Sequence, residues 1–201
     1  RRTTPFNPNF STDDMNKAIE ACDAIINSGR YQLADNYFDN FSPQNTQNSP
    51  ELIFVGENNG GVSSGNVRSR WCCTLHYNQN PSGWNGFCTI ADFYDTFDQT
   101  DPRLGGTAAD RPETDGQTGV GHGFLLGQQV DKDGNDLEDR KGNKLAYSKE
   151  VALTEGGDNL EITGIRVVKY IIDLNSGDNV DNDYVFYRYA DVLLMKAEAL
   201  L

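Results

Sequence analysis

The chain has 201 residues, and its 17 Lys and Arg residues against 30 Asp and Glu residues give a formal net charge of −13 at pH 7. So acidic a surface repels the phosphate backbone of nucleic acids, and the basic residues are scattered singly, which excludes nucleic-acid binding. No window of the sequence approaches the roughly 18 consecutive apolar residues that a membrane-spanning helix requires.

The composition also bounds the architecture. A chain of this length fits one domain or a large piece of one. Asp, Asn and Gly, which favour turns and loops, account for 61 of the 201 residues. We therefore expect long irregular connections between the regular elements.

The first predicted element is a helix over residues 11–29. Ser11 is a suitable N-cap, and Asp14 lies three residues further on, as in a capping box. Apolar residues then follow at helical spacing: Met15, Ala18, Ile19, Cys22, Ile25 and Ile26. Gly29 can take the left-handed conformation that ends a helix.

Short strands and loops are predicted for the middle of the chain. Residues 52–55 are a β-type run, and residues 164–172 alternate like a half-buried strand. Residues 101–123 and 131–144 are rich in turn-forming residues, so we expect surface loops or hairpins there. The Gly-rich run at residues 119–123 has no phosphate-binding context and is predicted to be a flexible loop.

Two further helices are predicted. Residues 87–97 place apolar side chains at helical spacing, with Thr89 or Asp92 as a possible cap. Residues 188–201 are apolar on nearly every side, which predicts a buried core helix. Arg188 and Asp191 are expected to pair at i,i+3 within it, and Glu198 is expected to find a partner elsewhere.

Cysteine and histidine offer little material for a metal site. Cys22 fits the apolar face of the first helix, and Cys88 could pair with either Cys72 or Cys73. The two histidines, His76 and His122, form no zinc-binding pattern, and no nucleophile motif of a hydrolase occurs. We expect neither a bound metal, nor a cofactor, nor catalytic residues.

Four motifs follow one another along the chain. They are ACDAIINSG at residues 21–29, WNGF at 84–87 with DFYDTF at 92–97 and DPR at 101–103, GIRVVKY at 164–170, and NDYVFYRYADVLLMKAEA at 182–199. Together they resemble the SusD/RagB family of nutrient-binding outer-membrane lipoproteins. The resemblance covers nearly the whole chain. Full-length members also have a leader, a lipid-bearing Cys and further residues at both ends, so we expect an internal fragment.

The resemblance implies a mainly α-helical fold. A tetratricopeptide-like helical scaffold would be interrupted by a long loop-rich insertion with short strands and hairpins. Residues 1–201 would then be a single domain fragment, with a scaffold helix at 11–29, the insertion at 30–187 and a buried scaffold helix at 188–201.

The resemblance also implies a function. Family members are non-catalytic glycan-binding subunits on the extracellular face of the outer membrane, where a lipid tethers them. They deliver oligosaccharides or polysaccharides to a SusC-like TonB-dependent transporter. The alternatives from other classes are a glycoside hydrolase-like enzyme, a peptide-binding member of the family, and a pure scaffold that docks the transporter.

Aromatic and amide residues between positions 70 and 86 are the candidate glycan site. Flat aromatic faces cover the apolar faces of sugar rings, and amides hydrogen-bond their hydroxyl groups. Both tryptophans of the chain lie in this segment. The predicted binding residues are Trp71, Tyr77, Asn80, Trp84 and Asn85.

Overall fold

The computed structural model describes residues 11–62, 66–152, 157–175 and 179–201, except for the side chains of residues 158 and 159. Its α-helices are α1 (Thr12–Asn27), α2 (Asn45–Asn48), α3 (Ser69–Cys72), α4 (Ala91–Tyr94) and α5 (Tyr189–Leu200). Single 3-10 segments cover Tyr37–Phe41, Pro102–Leu104, Ala108–Asp110, Asp115–Gln117 and Gly157–Glu161.

The first helix is confirmed. The Ser11 hydroxyl accepts a hydrogen bond from the backbone N–H of Asp14 at 3.3 Å, and Gly29 has the left-handed φ of 64° that ends the helical segment. Cys22 is the buried side chain of α1. The predicted third helix is reduced to the single turn of α4, whose N-cap is Ile90 without a side-chain hydrogen bond, so neither Thr89 nor Asp92 caps it.

Helix α5 lies at the surface of the described chain, although its sequence, apolar on nearly every side, predicts a buried core helix. It packs against α1, and Lys196 forms an ion pair with Asp23 across that contact. Only Val192 is buried, whereas Leu194 is 66% exposed. One neighbouring helix covers one side of α5 and leaves the other open. In the described ranges, no helix combines the length and apolar character needed to cross a membrane.

The side chain of Arg188, at the start of α5, has another partner than the predicted Asp191. Its backbone N–H donates to Asp191 at 2.9 Å, while its guanidinium reaches across to Glu51, with Nη1 and Oε1 2.6 Å apart. Glu51 is almost fully buried and also accepts the backbone N–H of Ala34. The arginine therefore neutralises a buried carboxylate just before β1 rather than one in its own helix. Glu198 is exposed.

In the described part of the chain, seven short strands form three small antiparallel sheets. Strands β1 (Leu52–Gly56) and β7 (Tyr184–Arg188) pair with Val55 opposite Val185. Strands β2 (Gly105–Gly106), β3 (His122–Leu125) and β6 (Arg166–Val168) form the second sheet, and β4 (Gly127–Gln128) and β5 (Ala146–Tyr147) form the third. The core lies between them and contains the side chains of Phe41, Val67, Trp71, Cys72, Leu75, Val120, Leu125, Leu145, Tyr147, Val168, Tyr170, Ile172 and Val180.

The strand predictions hold in part. The run at residues 52–55 is confirmed as β1, and residues 131–144 do form hairpin turns, with bridges between Val130 and Asp136 and between Glu138 and Lys144. Of the predicted strand over 164–172, Arg166–Val168 form β6, and Ile165 forms an isolated bridge with Thr89. The glycine run at 119–123 is not a free loop, because it leads into β3 and packs against the backbone of β2.

The four cysteines, all in the described ranges, form no disulfide, so Cys88 forms neither of the two pairings that the sequence left open, with Cys72 or with Cys73. Cys72 is buried in the core, whereas Cys88 is exposed at the surface.

Buried asparagine side chains hold the irregular segments together. Asn45 Nδ2 donates to the carbonyls of Asn40 and Asp183 at 2.8 and 3.0 Å, and Asn45 Oδ1 accepts the N–H of Asp183. Asn182 Nδ2 donates to the carbonyls of Phe41 and Ile171. Asn58 Nδ2 donates in turn to the carbonyl of Asn182. We call Asn40, Asn45, Asn58 and Asn182 the asparagine network.

Removing one member of this network should be costly. Asn182 is fully buried, so Asn182→Ala would leave the carbonyls of Phe41 and Ile171 without their donor. An unsatisfied buried group costs about 1–3 kcal/mol, and we expect urea unfolding to show a decrease of that size in the free energy of unfolding. Asn48→Ala, at an exposed position, is the matched control and should stay within roughly 0.5 kcal/mol of the original chain. Equal stability of the two variants would contradict the role of the network.

Candidate functional site

Residues 76–85 form a loop that folds back on itself after α3. The N–H groups of Gln79 and Gly83 both donate to the carbonyl of His76, at 3.2 and 3.1 Å, and the N–H of Trp84 donates to the carbonyl of Cys72 at 2.7 Å. Gly83 is buried against Leu75, and any β-carbon there would collide with the Leu75 carbonyl. Gly83 therefore allows the second half of the loop, which leads to Trp84, to lie directly on the core.

Polar contacts from three other segments fix the front of the 76–85 loop. Gln79 Oε1 accepts the N–H of His76 at 2.9 Å and the phenolic O–H of Tyr147 at 2.7 Å. Asn78 Nδ2 donates to the carbonyl of Glu138 at 2.7 Å. Gln79 Nε2 donates to Gln129 Oε1 at 3.3 Å. The loop is thus held in one conformation before any ligand arrives, which reduces the entropy lost on binding.

His76 is a neutral structural residue within the loop. Its Nδ1 accepts the backbone N–H of Asn78 at 3.0 Å, so the ring proton resides on Nε2, which donates to Glu161 Oε2 at 2.9 Å. The imidazole is completely buried. His76 therefore connects the loop to the segment that precedes β6.

Glu161 in turn positions a guanidinium. Its Oε1 accepts a hydrogen bond from Arg140 Nε at 2.6 Å, and the Arg140 guanidinium carbon lies 4.1 Å from the ring centroid of Tyr77. Burial alone would raise the pKa of Glu161, but hydrogen bonds from Arg140 and His76 to the carboxylate outweigh burial and lower the pKa to about 2. Glu161 is therefore ionised at any physiological pH.

Two of the predicted residues, Tyr77 and Asn80, lie at the surface of this loop. Tyr77 is 37% exposed and has one face against Arg140. Asn80 is exposed and lines a cavity of about 210 Å³. The other residues that line this first cavity are Asn78, Thr118, Asp131, Lys132, Asp133 and Leu137. Amide, hydroxyl and charged groups converge there, as hydrogen bonding to sugar hydroxyls would need.

Trp84 is the most exposed of the predicted aromatic residues. Its side chain is 59% exposed, and Phe87, three residues later, is also largely exposed. Phe87 ends the WNGF motif and was also predicted to begin a helix, which does not form at this position. Exposed indole and phenyl rings cost free energy in water, so a partner or ligand that covers them is favoured.

Trp71 and Asn85 have other surroundings. Trp71 is 1% exposed and forms part of the hydrophobic core, so its ring offers no face to a ligand, contrary to the prediction. Asn85, at a left-handed φ of 51°, accepts a hydrogen bond from Arg166 Nη2 at 2.8 Å. Arg166 also donates to the carbonyls of Thr163 and Gly164. Asn85 thus ties the end of the loop to β6.

The carboxylates around the loop are occupied by internal contacts. Asp131 Oδ1 accepts the N–H groups of Asp133 and Asn135 in its own turn, which lowers the pKa of Asp131, chiefly through its bonds with Asn135. The other histidine, His122, pairs with Asp115 at 2.6 Å, away from His76. Over the described ranges, no three His, Cys, Asp or Glu side chains are placed to hold a metal ion.

The low pKa of Glu161 gives a pH-dependent prediction. Because the pKa is lower in the folded state, the stabilisation is complete above the unfolded value near 4.5 and is lost as the pH falls towards 2. Glu161→Gln should therefore lower the free energy of unfolding at pH 7, and the gap to the original chain should narrow below pH 4.5. Denaturant unfolding at several pH values measures this difference in the free energy of unfolding. Glu113→Gln, at an exposed position, is the control, and a gap for Glu161→Gln that does not vary with pH would refute the assignment.

The fold is found in several solved structures. A SusD superfamily protein from Parabacteroides distasonis superposes with a TM-score of 0.60 at 16% identity, over 94% of this chain and 35% of that one. Surface glycan-binding protein A from Bacteroides uniformis superposes with a TM-score of 0.53 at 18% identity, over 94% of this chain and 34% of that one. A SusD-like carbohydrate-binding protein from Bacteroides fragilis superposes with a TM-score of 0.55 at 17% identity, over 93% of this chain and 36% of that one.

At these identities the superpositions show a SusD-like fold, and the chain spans about a third of the length of each of these proteins. The two long helices, α1 and α5, pack against each other although residues 28–188 separate them in the sequence. The described ranges show no clear tetratricopeptide-like repeat. Among curated proteins, no sequence matches the chain. The model of the SusD family matches residues 23–201, nearly the whole chain, and the chain therefore belongs to the SusD family.

Proposed function

We propose that this chain is the glycan-capturing part of a non-catalytic protein on the bacterial cell surface. The observation that carries the proposal is the 76–85 loop, which holds Tyr77, Asn80 and Trp84 at the surface, with Asn80 lining a polar cavity. Trp71 and Asn85 support this loop from behind. The fold shared with surface glycan-binding protein A and a SusD-like carbohydrate-binding protein supports the same ligand class.

The chemistry of the loop suits an oligosaccharide. Trp84 and Tyr77 offer flat apolar faces, which cover the C–H faces of sugar rings, while Asn78 and Asn80 supply amide donors and acceptors for hydroxyl groups. The loop is fixed in advance by His76, Gln79 and Glu161. Capture therefore requires little ordering of the protein.

The same contacts favour binding over catalysis. A glycosidase needs one carboxyl with a raised pKa as general acid and a second carboxylate nearby. Glu161 has a lowered pKa and is bonded to His76 and Arg140, and Asp131 is engaged in its own turn. Neither group is available to protonate a glycosidic oxygen.

We further propose the setting of the whole protein from its family. A lipid would tether it to the extracellular face of the outer membrane, and it would pass captured glycan to a SusC-like TonB-dependent transporter. Helices α1 and α5 would belong to a tetratricopeptide-like scaffold, and the exposed apolar side chains of α5, such as Leu194 and Leu200, would then pack against further scaffold helices.

The aromatic residues of the loop provide the test. Isothermal titration calorimetry with a panel of plant, microbial and host polysaccharides should identify a ligand for the parent protein. Trp84→Ala and Tyr77→Ala should each weaken its affinity about tenfold or more, or about 1.4 kcal/mol, because a stacking face is lost.

Tyr187→Ala is the matched control, since Tyr187 is a similarly exposed aromatic residue on β7. Its affinity should equal that of the original protein. Binding of peptides but of no glycan, or full affinity in both loop variants, would reject the proposed site.

A further inference from the structure

A second cavity, of about 360 Å³, lies between α4, the β2–β3 pair and β4. This volume falls within the roughly 300–1,000 Å³ of small-molecule sites. Phe124 and Tyr94 line it together with the polar side chains of Gln99, Thr107 and Gln128. We call it the uncharged cleft, because none of the fifteen residues that line it in the described part of the chain is Asp, Glu, Lys, Arg or His.

The lack of charge sets this cleft apart from the rest of the protein. Asp, Glu, Lys and Arg make up 23% of the chain, and the first cavity includes Asp131, Lys132 and Asp133. Carboxylates and ammonium groups attract ions and bind water strongly. A cleft lined instead by rings, amides and a hydroxyl favours a ligand that is itself uncharged, with apolar faces and hydroxyl groups.

Phe124 forms a fixed aromatic wall in the cleft. Its ring centroid lies 5.5 Å from that of Tyr94 and 5.2 Å from that of Phe97, both in edge contacts, and 6.2 Å from that of Phe93. Such contacts hold the ring in one orientation. Phe124 is only partly buried, so part of its surface is available to a ligand.

Glycine backbone forms another wall. Gly105 and Gly121 both line the cleft, and a β-carbon on either would collide with a carbonyl of the facing strand or loop, that of His122 for Gly105 and that of Gly106 for Gly121. The close pairing of β2 with β3 therefore requires glycine. It also leaves flat peptide surface without side chains, which lets a ligand approach the backbone closely.

The uncharged cleft and the first cavity adjoin one another. Gly119 and Val130 line the cleft, while their neighbours in sequence, Thr118 and Asp131, line the first cavity. Gly119 packs directly on the carbonyl of Asp131, so these two segments form the partition. Gln129, which also lines the cleft, is hydrogen-bonded to Gln79 of the 76–85 loop.

We propose that the uncharged cleft is a second sugar-binding subsite, which takes an uncharged pyranose unit of the same glycan that the 76–85 loop captures. The inference rests on the proposed function and makes the ligand more specific. A neutral oligosaccharide long enough to reach from the loop across the partition gains contacts that a short one lacks. Uronate-containing and sulfated chains gain nothing in the cleft, because it offers no cation.

Two neighbouring alanines allow a matched test. Ala108 lines the cleft, whereas Ala109, in the same 3-10 segment, is exposed and outside it. Ala108→Arg fills the cleft with a charged side chain, and Ala109→Arg adds the same charge beside it. Gln99→Ala is a milder variant, since Gln99 is exposed and lines the cleft.

The measurement is calorimetric titration with neutral oligosaccharides of two to eight sugar units from the malto, cello, manno, xylo and galacto series, and with oligogalacturonate and chondroitin sulfate fragments. We expect affinity of the original protein to rise with length in one neutral series. Ala108→Arg should weaken the affinity for the longer oligosaccharides at least tenfold, and Gln99→Ala should weaken it less. Neither variant should change the affinity for disaccharides. Ala109→Arg should bind every oligosaccharide as tightly as the original protein does.

The outcomes separate the two proposals. If Ala108→Arg binds long neutral oligosaccharides as tightly as Ala109→Arg does, the subsite is refuted while the loop site stands. If a Tyr77→Ala, Trp84→Ala double variant keeps full affinity and Ala108→Arg abolishes it, the loop site is refuted and the cleft stands. Tighter binding of the acidic chains would refute the uncharged ligand class. Binding of no oligosaccharide at all would reject both proposals.

Discussion

Peptide groups that are buried outside helices and sheets must still find hydrogen-bond partners, and this constraint governs the architecture of the chain. Among the residues that the structure describes, three of the five α-helices have a single turn, and the sheets have two or three strands. Asn45 and Asn182 replace the missing ladders by hydrogen-bonding to backbone carbonyls 138 and 141 positions away in the sequence. The loops are therefore as fixed as regular elements, and a ligand surface can be built on them.

Sequence reasoning succeeded where the signal is local. The cap at Ser11, the left-handed Gly29, the strand at 52–55 and the turns at 131–144 each follow from adjacent residues. The family motifs, which extend over the whole chain, led to the family itself. The abundance of Asn and Asp correctly indicated loops, although some of these side chains are buried inside the protein.

The rest depends on contacts between distant residues. Trp71, which enters the core, is followed by Cys72 and Cys73, whereas the exposed Trp84 lies among Ser, Gly and Asn, and the predicted site grouped both rings by residue type alone. His76 meets Glu161 85 positions away, and Arg188 meets Glu51 137 positions away. The uncharged cleft likewise draws on separate stretches between Tyr94 and Val130 that carry no common motif. Only the folded chain brings these groups together.

The placement of Arg140 has a directional consequence. With a guanidinium 4.1 Å above one side of the Tyr77 ring, that side is closed, and a saccharide approaching this tyrosine can lie only against the opposite side. The ring is a one-sided platform, so a chain of sugars must run across the loop as over a ledge and cannot be clamped between two parallel rings at Tyr77. Under the proposed function, such a ledge would leave both ends of a polymer unobstructed and would permit capture at interior positions of a long polysaccharide.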